Sequence, residues 1–179
     1  MGKLTWHIML SIDGYYEGIA GDLSWHHVDD EYHSFAFQNL QQADLILFGR
    51  KTYEHMEAYW NTEVALDDNS SIAKIMNEKP KLVISKTLTE ANWKNTTLLG
   101  SDYQNSIEQY KNSNENIVLL GSGDLALSLI KNDIIDEYQC IFNPVILGGG
   151  KRLSHSHSKE LKLSLMHRFK SGNVLLQYK

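Results

Sequence analysis

The chain has 179 residues, of which 42% are hydrophobic and 22% are charged, the balance of one globular domain with a core of ordinary size. Its formal net charge of −5 argues against a protein that binds nucleic acid by neutralising many phosphates, although a local basic pocket is compatible with it. The one cysteine, Cys140, excludes an intrachain disulfide and a zinc site built on cysteines. The N-terminal segment lacks an apolar signal region, and no apolar run approaches the roughly 18 residues of a membrane span. We therefore expect a soluble, cytoplasmic protein.

The first half of the chain alternates between strand and helix patterns. Residues 4–10 alternate in polarity with the period of a strand, and a glycine-containing loop follows over residues 11–25. Residues 32–40 place apolar side chains at helical spacing behind an acidic start, which favours a helix N-terminus. The apolar run 45–48 is typical of a strand buried on both faces, and the spacing over 53–60 returns to that of a helix.

The second half repeats this alternation and then ends in strands alone. The polar segment 61–71 predicts a loop, and Ser101 and Gln104 have the spacing of a helix capping box. The patterns predict strands over 81–84, 96–99, 117–120 and 138–147, helices over 103–110 and 125–130, and a hairpin formed by 161–165 and 174–178.

This order of elements predicts the fold class. Strands that alternate with helices, followed by strands alone, indicate an α/β fold with a mixed, mostly parallel central sheet flanked by helices and an antiparallel C-terminal hairpin. Nothing in the sequence reads as an interdomain linker or a repeat. We expect a single domain over residues 1–179.

A glycine and two cations follow the buried strand 45–48. Gly49 stands where the strand gives way to a helix, and a helix N-terminus presents unpaired N–H groups that suit a phosphate. Arg50 can bind a phosphate through two hydrogen bonds, Lys51 adds charge and Thr52 adds a hydroxyl. The alternative is a simple turn with a solvated arginine, and this stretch alone leaves both interpretations open.

A second glycine stretch also follows an apolar strand and opens a helix. Gly121 and Gly123, read with Ala126, match the pattern G-x-G-x-x-A, but the residues that follow resemble a hairpin rather than another half of a Rossmann fold. Ser85 and Lys86 end a third strand, at the edge where α/β sheets bind ligands. Together, the three strand ends would suit a pyrophosphate and one further phosphate, as in NADP.

Five stretches in order resemble a known family: LSIDGYY, LILFGRKTYE, LVISKT, IVLLGSGDLA and NPVILGGGKRL. They are similar to the dihydrofolate reductase-like superfamily, and closest to the stand-alone RibD C-terminal type, the reductase domain of the riboflavin pathway. The resemblance covers nearly the whole chain. It implies an NADPH-dependent reductase of a small heterocycle, similar to 5-amino-6-(5-phosphoribosylamino)uracil reductase, and it favours a homodimer.

The resemblance also implies roles for particular residues. The first turn would bind the NADPH phosphates, the third strand end would hold the 2′-phosphate, the second glycine loop would meet the pyrophosphate, and Trp25 would lie beside the cofactor in a lid loop. The implied cofactor residues are Trp25, Gly49, Arg50, Lys51, Thr52, Ser85, Lys86, Gly121, Ser122, Gly123, Asp124 and Leu125.

Two features depart from the pattern of the riboflavin-pathway reductases. Leu120 stands where those reductases usually carry a glutamate that contacts substrate, so the cofactor is better supported than any substrate. Dihydrofolate reductases place an acid on the first helix, which suggests Asp30 or Glu31 as the proton donor, with Asp13 in the lid loop as the second choice. Each acid has a purely structural alternative, in the helix dipole or in the turn.

Three alternatives accompany the reductase hypothesis. The first alternative is a true dihydrofolate reductase, and the second is a regulatory module that binds NADP without turnover. A metal site is the third, since the chain has eight histidines, but no H-E-x-x-H spacing occurs and we expect no metal. His155 and His157 are interpreted as residues of a surface loop.

Overall fold

The computed structural model describes residues 1–68, 70–154 and 158–179, so His155 and His157 lie outside the described residues. The strands are β1 (Leu4–Ser11), β2 (Tyr15–Glu17), β3 (Leu45–Gly49), β4 (Lys81–Ile84), β5 (Thr96–Leu99), β6 (Ile117–Leu120), β7 (Glu137–Asn143), β8 (Lys151–Arg152), β9 (Leu163–Arg168) and β10 (Val174–Tyr178). The helices are α1 (Asp30–Gln42), α2 (Arg50–Trp60), α3 (Glu63–Asp68), α4 (Ser70–Glu78), α5 (Tyr103–Asn112) and α6 (Gly123–Lys131). Within these ranges, no helix is both long and apolar enough to cross a membrane.

The central sheet has eight strands in the order β5-β4-β3-β6-β1-β7-β10-β9. The pairs from β5 to β7 are parallel, and β10 runs antiparallel to both β7 and β9. This confirms the prediction of a mostly parallel sheet that ends in an antiparallel hairpin. Strand β1 lies near the centre because it pairs with β6 on one side and β7 on the other.

Helices cover both faces of the sheet, and each face has its own apolar cluster. On one face, Leu40 of α1, Tyr53 of α2 and Met76 of α4 pack against β3, β4 and β6. On the other face, Ile107 of α5 and Leu129 of α6 pack against β1, β3 and β6. Burial of these side chains is what orients the helices, since apolar area removed from water contributes roughly 25 cal/mol per Å².

Two local predictions were wrong. The segment 61–71, expected to be a loop, forms α3 and the start of α4, because Ala65 and Ile72 are buried and hold the short helices despite their polar composition. Helix α5 begins at Tyr103 after Asp102 without a side-chain capping bond, so the capping box of Ser101 and Gln104 does not form.

A buried polar network joins α1 to the sheet. His7 of β1, with 8% of its surface exposed, places Nδ1 3.2 Å from Oε1 of Gln139 and Nε2 3.1 Å from the Tyr32 hydroxyl. Asn39 of α1 also donates to Oε1 of Gln139, at 2.7 Å. An amide oxygen only accepts, so His7 carries its proton on Nδ1. Burial lowers the pKa of His7 to about 4, although its hydrogen bond to Gln139 acts in the opposite direction, and the imidazole is therefore neutral at pH 7.

The neutral His7 makes stability depend on acid pH. Because its pKa is about 4 in the folded protein and 6.5 without burial, the unfolded chain binds more protons between these values, and stability is lost as pH falls through this window. We expect the free energy of unfolding in urea to decrease from pH 6.5 to pH 4 by up to about 3 kcal/mol more in the wild type than in His7→Gln. In His55→Gln, a control at an exposed position, the free energy of unfolding should change with pH as it does in the wild type. Equal slopes in wild type and His7→Gln would show that His7 is not buried in its neutral form.

Candidate functional site

A cavity of about 680 Å³ opens on the face of the sheet that carries α1, α2 and α4. The middle of β1 and the carboxyl end of β6 with its following turn form the floor of the cavity, and α1, α2, α4, β2 and the loop after β2 form its walls. In an open α/β sheet, ligands bind beyond the carboxyl ends of the strands. The cavity therefore occupies the place where such a fold binds small molecules.

The two glycine turns meet at the edge of this cavity because β3 pairs directly with β6. The Gly49 N–H donates to Oγ of Ser122 at 2.9 Å, and that oxygen lies 2.9 Å from Oγ1 of Thr52. A Cβ on Gly49 would lie 3.4 Å from Ser122 Oγ, and one on Gly121 would lie 3.6 Å from the Thr52 methyl group. The turns are thus joined by the Ser122 hydroxyl, and they lie within van der Waals distance of each other at both glycines.

The second turn has an unusual backbone that β1 holds in place. Gly121 and Ser122 have φ values of +55° and +53°, a left-handed conformation that costs a non-glycine residue such as Ser122 about 1–3 kcal/mol. The Gly121 N–H donates to the carbonyl of His7 at 2.9 Å, and the Trp6 indole donates to the Gly121 carbonyl at 2.7 Å. Contacts from β1 to both polar groups of Gly121 stabilise the strained turn.

Both helices that start at these turns lack a side-chain cap. Neither α2 after Gly49 nor α6 after Ser122 has a side-chain acceptor on its first N–H groups, which suits an anion. Tyr16 covers part of the second helix start, since a Cβ on Gly123 would come within 2.7 Å of its ring. The Tyr16 hydroxyl donates to Asp124 at 3.3 Å, so the open side of this turn is at Gly121 and Ser122.

The predicted cations lie beside the first turn. Arg50 is partly exposed and donates to the Glu54 carboxylate at 2.9 Å, an i,i+4 pair that an anion can displace because such exposed pairs contribute about 0.3–0.5 kcal/mol. Ile84, the last residue of β4, is paired with Gly49, the last residue of β3. Ser85 and Lys86 therefore leave the sheet beside the turn that carries Arg50. The Ser85 hydroxyl accepts the N–H groups of residues 87 and 88, and Lys86 is exposed. The donors and charges fit a phosphorylated dinucleotide.

The structure places Asp13 outside the cavity lining. Its carboxylate accepts the Ser11 hydroxyl at 2.7 Å and the N–H groups of Leu147 and Gly148 at 3.1 and 2.8 Å. These hydrogen bonds lower the pKa of Asp13 to about 2, and the bond from Ser11 has the largest effect. Asp13 joins the loop after β1 to the loop after β7.

The two acids of α1 also lie outside the lining. Glu31 accepts the N–H of Lys170 at 2.8 Å and lies 3.0 Å from Nε2 of His167. These contacts hold the pKa of Glu31 below its ordinary value, and the hydrogen bond from Lys170 has the largest effect. Asp30 is exposed on the first turn of the helix. Glu31 therefore faces the C-terminal hairpin, on the far side of α1 from the cavity.

Trp25, the residue predicted to lie beside the cofactor, is buried in an apolar cluster. It is 7% exposed and packs with Met9, Ile141 and Phe169, while its indole donates to the carbonyl of Asp22 at 3.0 Å. It does not line the cavity. Trp25 anchors the loop before α1 to the core.

The cavity contains polar residues that the sequence patterns did not single out. His7, Tyr32 and His26 line it, and the buried Nε2 of His26 has no hydrogen-bond partner among the described residues. Burial lowers the pKa of His26 to about 4, with the neighbouring His7 adding to the effect. The available signal was weak: His7 occupied an ordinary polar position of a strand, and Tyr32 was one residue of an apolar helix face.

Comparison with known proteins identifies the family. The RibD C-terminal domain family matches residues 2–176. The uncharacterized protein YyaP of Bacillus subtilis (strain 168) is 29% identical over 182 residues, covering 98% of this chain and 94% of its own length. A crystal structure of a Shewanella sp. PV-4 protein named for riboflavin biosynthesis has a TM-score of 0.76 at 21% identity, with 99% of this chain and 98% of that chain covered.

A bifunctional protein of Thermotoga maritima, a diaminohydroxyphosphoribosylaminopyrimidine deaminase and 5-amino-6-(5-phosphoribosylamino)uracil reductase, has a TM-score of 0.72 at 10% identity. The match covers 99% of this chain and 56% of that chain. At such identities the solved structures show a shared fold. The match along almost the entire sequence confirms the resemblance, and the chain is a member of the RibD C-terminal domain family.

Proposed function

We propose that this protein is an NADPH-dependent reductase of a small heterocyclic substrate. The observation that carries the proposal is the pair of joined turns at Gly49 and Gly121, which opens two uncapped helices at the edge of a cavity. Membership of the RibD C-terminal domain family supports it, as does a cavity volume in the range of small-molecule sites. Since the single cysteine suits a reducing compartment, we also propose that it acts in the cytoplasm.

In this proposal the two turns hold the cofactor diphosphate. Gly121 and Ser122 would hold the diphosphate from the second turn, because Tyr16 covers Gly123, where the helix that contains Asp124 and Leu125 begins. Gly49, Arg50, Lys51 and Thr52 contribute from the first turn, with Arg50, Ser85 and Lys86 toward the 2′-phosphate. When bound, NADPH supplies a hydride, and the protein's own residues bind, orient and provide a proton.

Proton delivery is assigned to Tyr32 instead of a carboxylate. Asp13, Asp30 and Glu31 do not line the cavity, whereas the Tyr32 hydroxyl lies 3.1 Å from Nε2 of His7. Because His7 is protonated on Nδ1, its Nε2 accepts from the Tyr32 hydroxyl and orients the phenol, and after transfer a solvent water returns a proton to the phenolate. Burial raises the pKa of Tyr32, so the phenol keeps its proton at neutral pH.

Arg50→Ala should weaken NADPH binding in calorimetric titration by about 1.5–3 kcal/mol, the loss of one charged hydrogen-bonded contact. NADH affinity should change less, because NADH lacks the 2′-phosphate. Glu54→Gln is the matched control: it releases Arg50 from its ion pair and should leave NADPH affinity unchanged or higher. Equal losses for both cofactors in Arg50→Ala would contradict the assignment of Arg50 to the 2′-phosphate.

Tyr32→Phe should lower turnover by at least about 100-fold at unchanged NADPH affinity, since it removes the proposed acid. The assay is oxidation of NADPH with a panel of pteridines, pyrimidines and flavin precursors. Asp30→Asn and Glu31→Gln are the controls and should retain turnover. Loss of turnover in those two variants but not in Tyr32→Phe would show that an acid of α1, and not Tyr32, is the proton donor. NADPH binding without turnover of any panel member would favour a non-catalytic NADP-binding module.

A homodimer is proposed from a partly exposed sheet patch, formed by Cys140, Phe142, Met166, Val174 and Leu176. Strand registers place these side chains together on the face opposite α1, where Val174 lies opposite Phe142 and Leu176 lies between Cys140 and Met166. Met166 is 70% exposed and every residue of the edge strand β9 is exposed. An apolar edge of this kind is usually covered, and a second copy would supply a matching surface.

Met166→Glu should convert a dimer in sedimentation at micromolar concentration to a 20.5 kDa monomer, because it places a charge in the apolar patch. Val64→Glu, at a 62% exposed position of α3, is the control and should leave the dimer intact. A wild-type protein that sediments as a monomer would overturn the dimer.

A further inference from the structure

We propose that the inner cavity binds an uncharged, unphosphorylated aromatic compound that carries one carbonyl or hydroxyl group. The inner cavity is the part of the lining formed by His7, Tyr32, Ala36, Leu40, Met76 and Leu120. The proposal rests on the reductase function above, since it names the class of substrate for the same site. The proposed ligand differs from phosphorylated pyrimidines and from pteridines, the substrates that the similarity to other reductases would suggest for a first test.

The charges of the cavity lie away from its inner part. Among the described residues of the lining, and leaving histidines aside, Glu17 and Lys51 are the ionisable acid and base. Glu17 of β2 is bound by Lys151 of β8, and Lys51 is exposed in the first turn of α2. A phosphate in the inner cavity would have no cation to pair with, and burying it unpaired would be costly.

The histidines do not replace those cations in the interior. His7 and His26 are both neutral at pH 7, because burial lowers the pKa of each to about 4. A neutral imidazole offers one donor and one acceptor instead of a charge. The other two, His33 and His55, lie on the walls formed by α1 and α2, and His55 is exposed at the mouth.

The wall formed by α1 offers no carboxylate for an amidine-like ring edge. Asp29 caps the helix through the Tyr32 N–H at 2.8 Å and accepts the N–H of Ser171 at 3.0 Å. Glu31 is held by the C-terminal hairpin, as described above. The next turns of the helix present Ala36, Asn39 and Leu40 to the cavity, and the Asn39 amide is already hydrogen-bonded to Gln139. A pterin, which needs an acceptor for its ring N–H and amino groups, would leave these donors unpaired here.

What the inner cavity does offer is apolar surface with a few polar atoms. Leu40 and Met76 are at most 5% exposed and pack in the same apolar cluster as Ala36 and Leu120. The polar atoms are the Tyr32 hydroxyl and, on the adjoining loop, the unpartnered Nε2 of His26. A flat apolar ring would cover the first surface. A ligand carbonyl would accept a hydrogen bond from Nε2 of His26, or a ligand hydroxyl would donate to the Tyr32 oxygen, whose own proton is given to His7.

Coumarin is a suitable probe, since it is a neutral bicyclic ring with one carbonyl. Its binding is measured by calorimetry, with NADP⁺ present to fill the phosphate-binding turns, and compared with uridine monophosphate and unsubstituted pterin. We expect coumarin to bind at least about 10-fold more tightly than either comparator, corresponding to about 1.4 kcal/mol. Tighter binding of uridine monophosphate or pterin, or no binding of coumarin, would overturn the proposal.

A pair of variants of equal size locates the binding and tests charge. Ala36→Glu adds a carboxylate to the wall one turn after Tyr32, and Ala36→Gln adds the same volume without charge. We expect Ala36→Glu to weaken coumarin at least about 10-fold relative to Ala36→Gln and to improve pterin binding. Coumarin affinity unchanged from wild type in both variants would place the probe elsewhere and overturn the proposal.

A separate titration with NADPH distinguishes this inference from the proposed function. Coumarin bound by a protein that neither binds nor oxidises NADPH would refute the reductase while leaving the ligand class of the cavity in place. NADPH oxidation with a phosphorylated pyrimidine that also outcompetes coumarin would keep the reductase and refute the ligand class.

Discussion

The structure of the site depends on the contact between Ser122 and the start of α2. One hydroxyl accepts the N–H of Gly49 and meets the hydroxyl of Thr52, so it fixes the distance between two helix starts that are more than 70 residues apart in sequence. This contact requires β3 and β6 to be neighbours and requires Ser122 to adopt a left-handed backbone. The free energy lost to that backbone is recovered by the hydrogen bonds that β1 makes to Gly121.

Strand β1 therefore has two roles at the site. The backbone of β1 and the Trp6 side chain hydrogen-bond to the second turn, and His7 of β1 belongs to the polar network that joins α1 to the sheet. The cavity lies between these two groups of contacts. A single strand thus positions both the anion-binding edge and the polar side chains of the inner cavity, and displacement of β1 would disturb both together.

The sequence predicted the features whose signals are local. The period-2 and period-3.6 patterns located most elements, and the apolar runs that end in Gly49 and Gly121 located the turns, because a buried strand followed by glycine has few other structural meanings. The segment 61–71 was wrong because short helices held by Ala65 and Ile72 carry little periodicity of their own. The neutral His7, the inward Tyr32 and the outward Glu31 could not be predicted, since each depends on which residues of distant strands face α1.

The contacts of α1 with the hairpin have a consequence for synthesis on the ribosome. The helix start is bound by Ser171 and Lys170, some 140 residues later in the chain, and β1 has no partner strand until residues 117 and 137 have been made. Strand β1 is thus paired only after β3 and β4, which follow it in the chain, have paired with each other. A chain that stops before residue 170 would therefore lack the bonds that hold the wall of its own cavity, even though β1, β3 and β6 could already be paired.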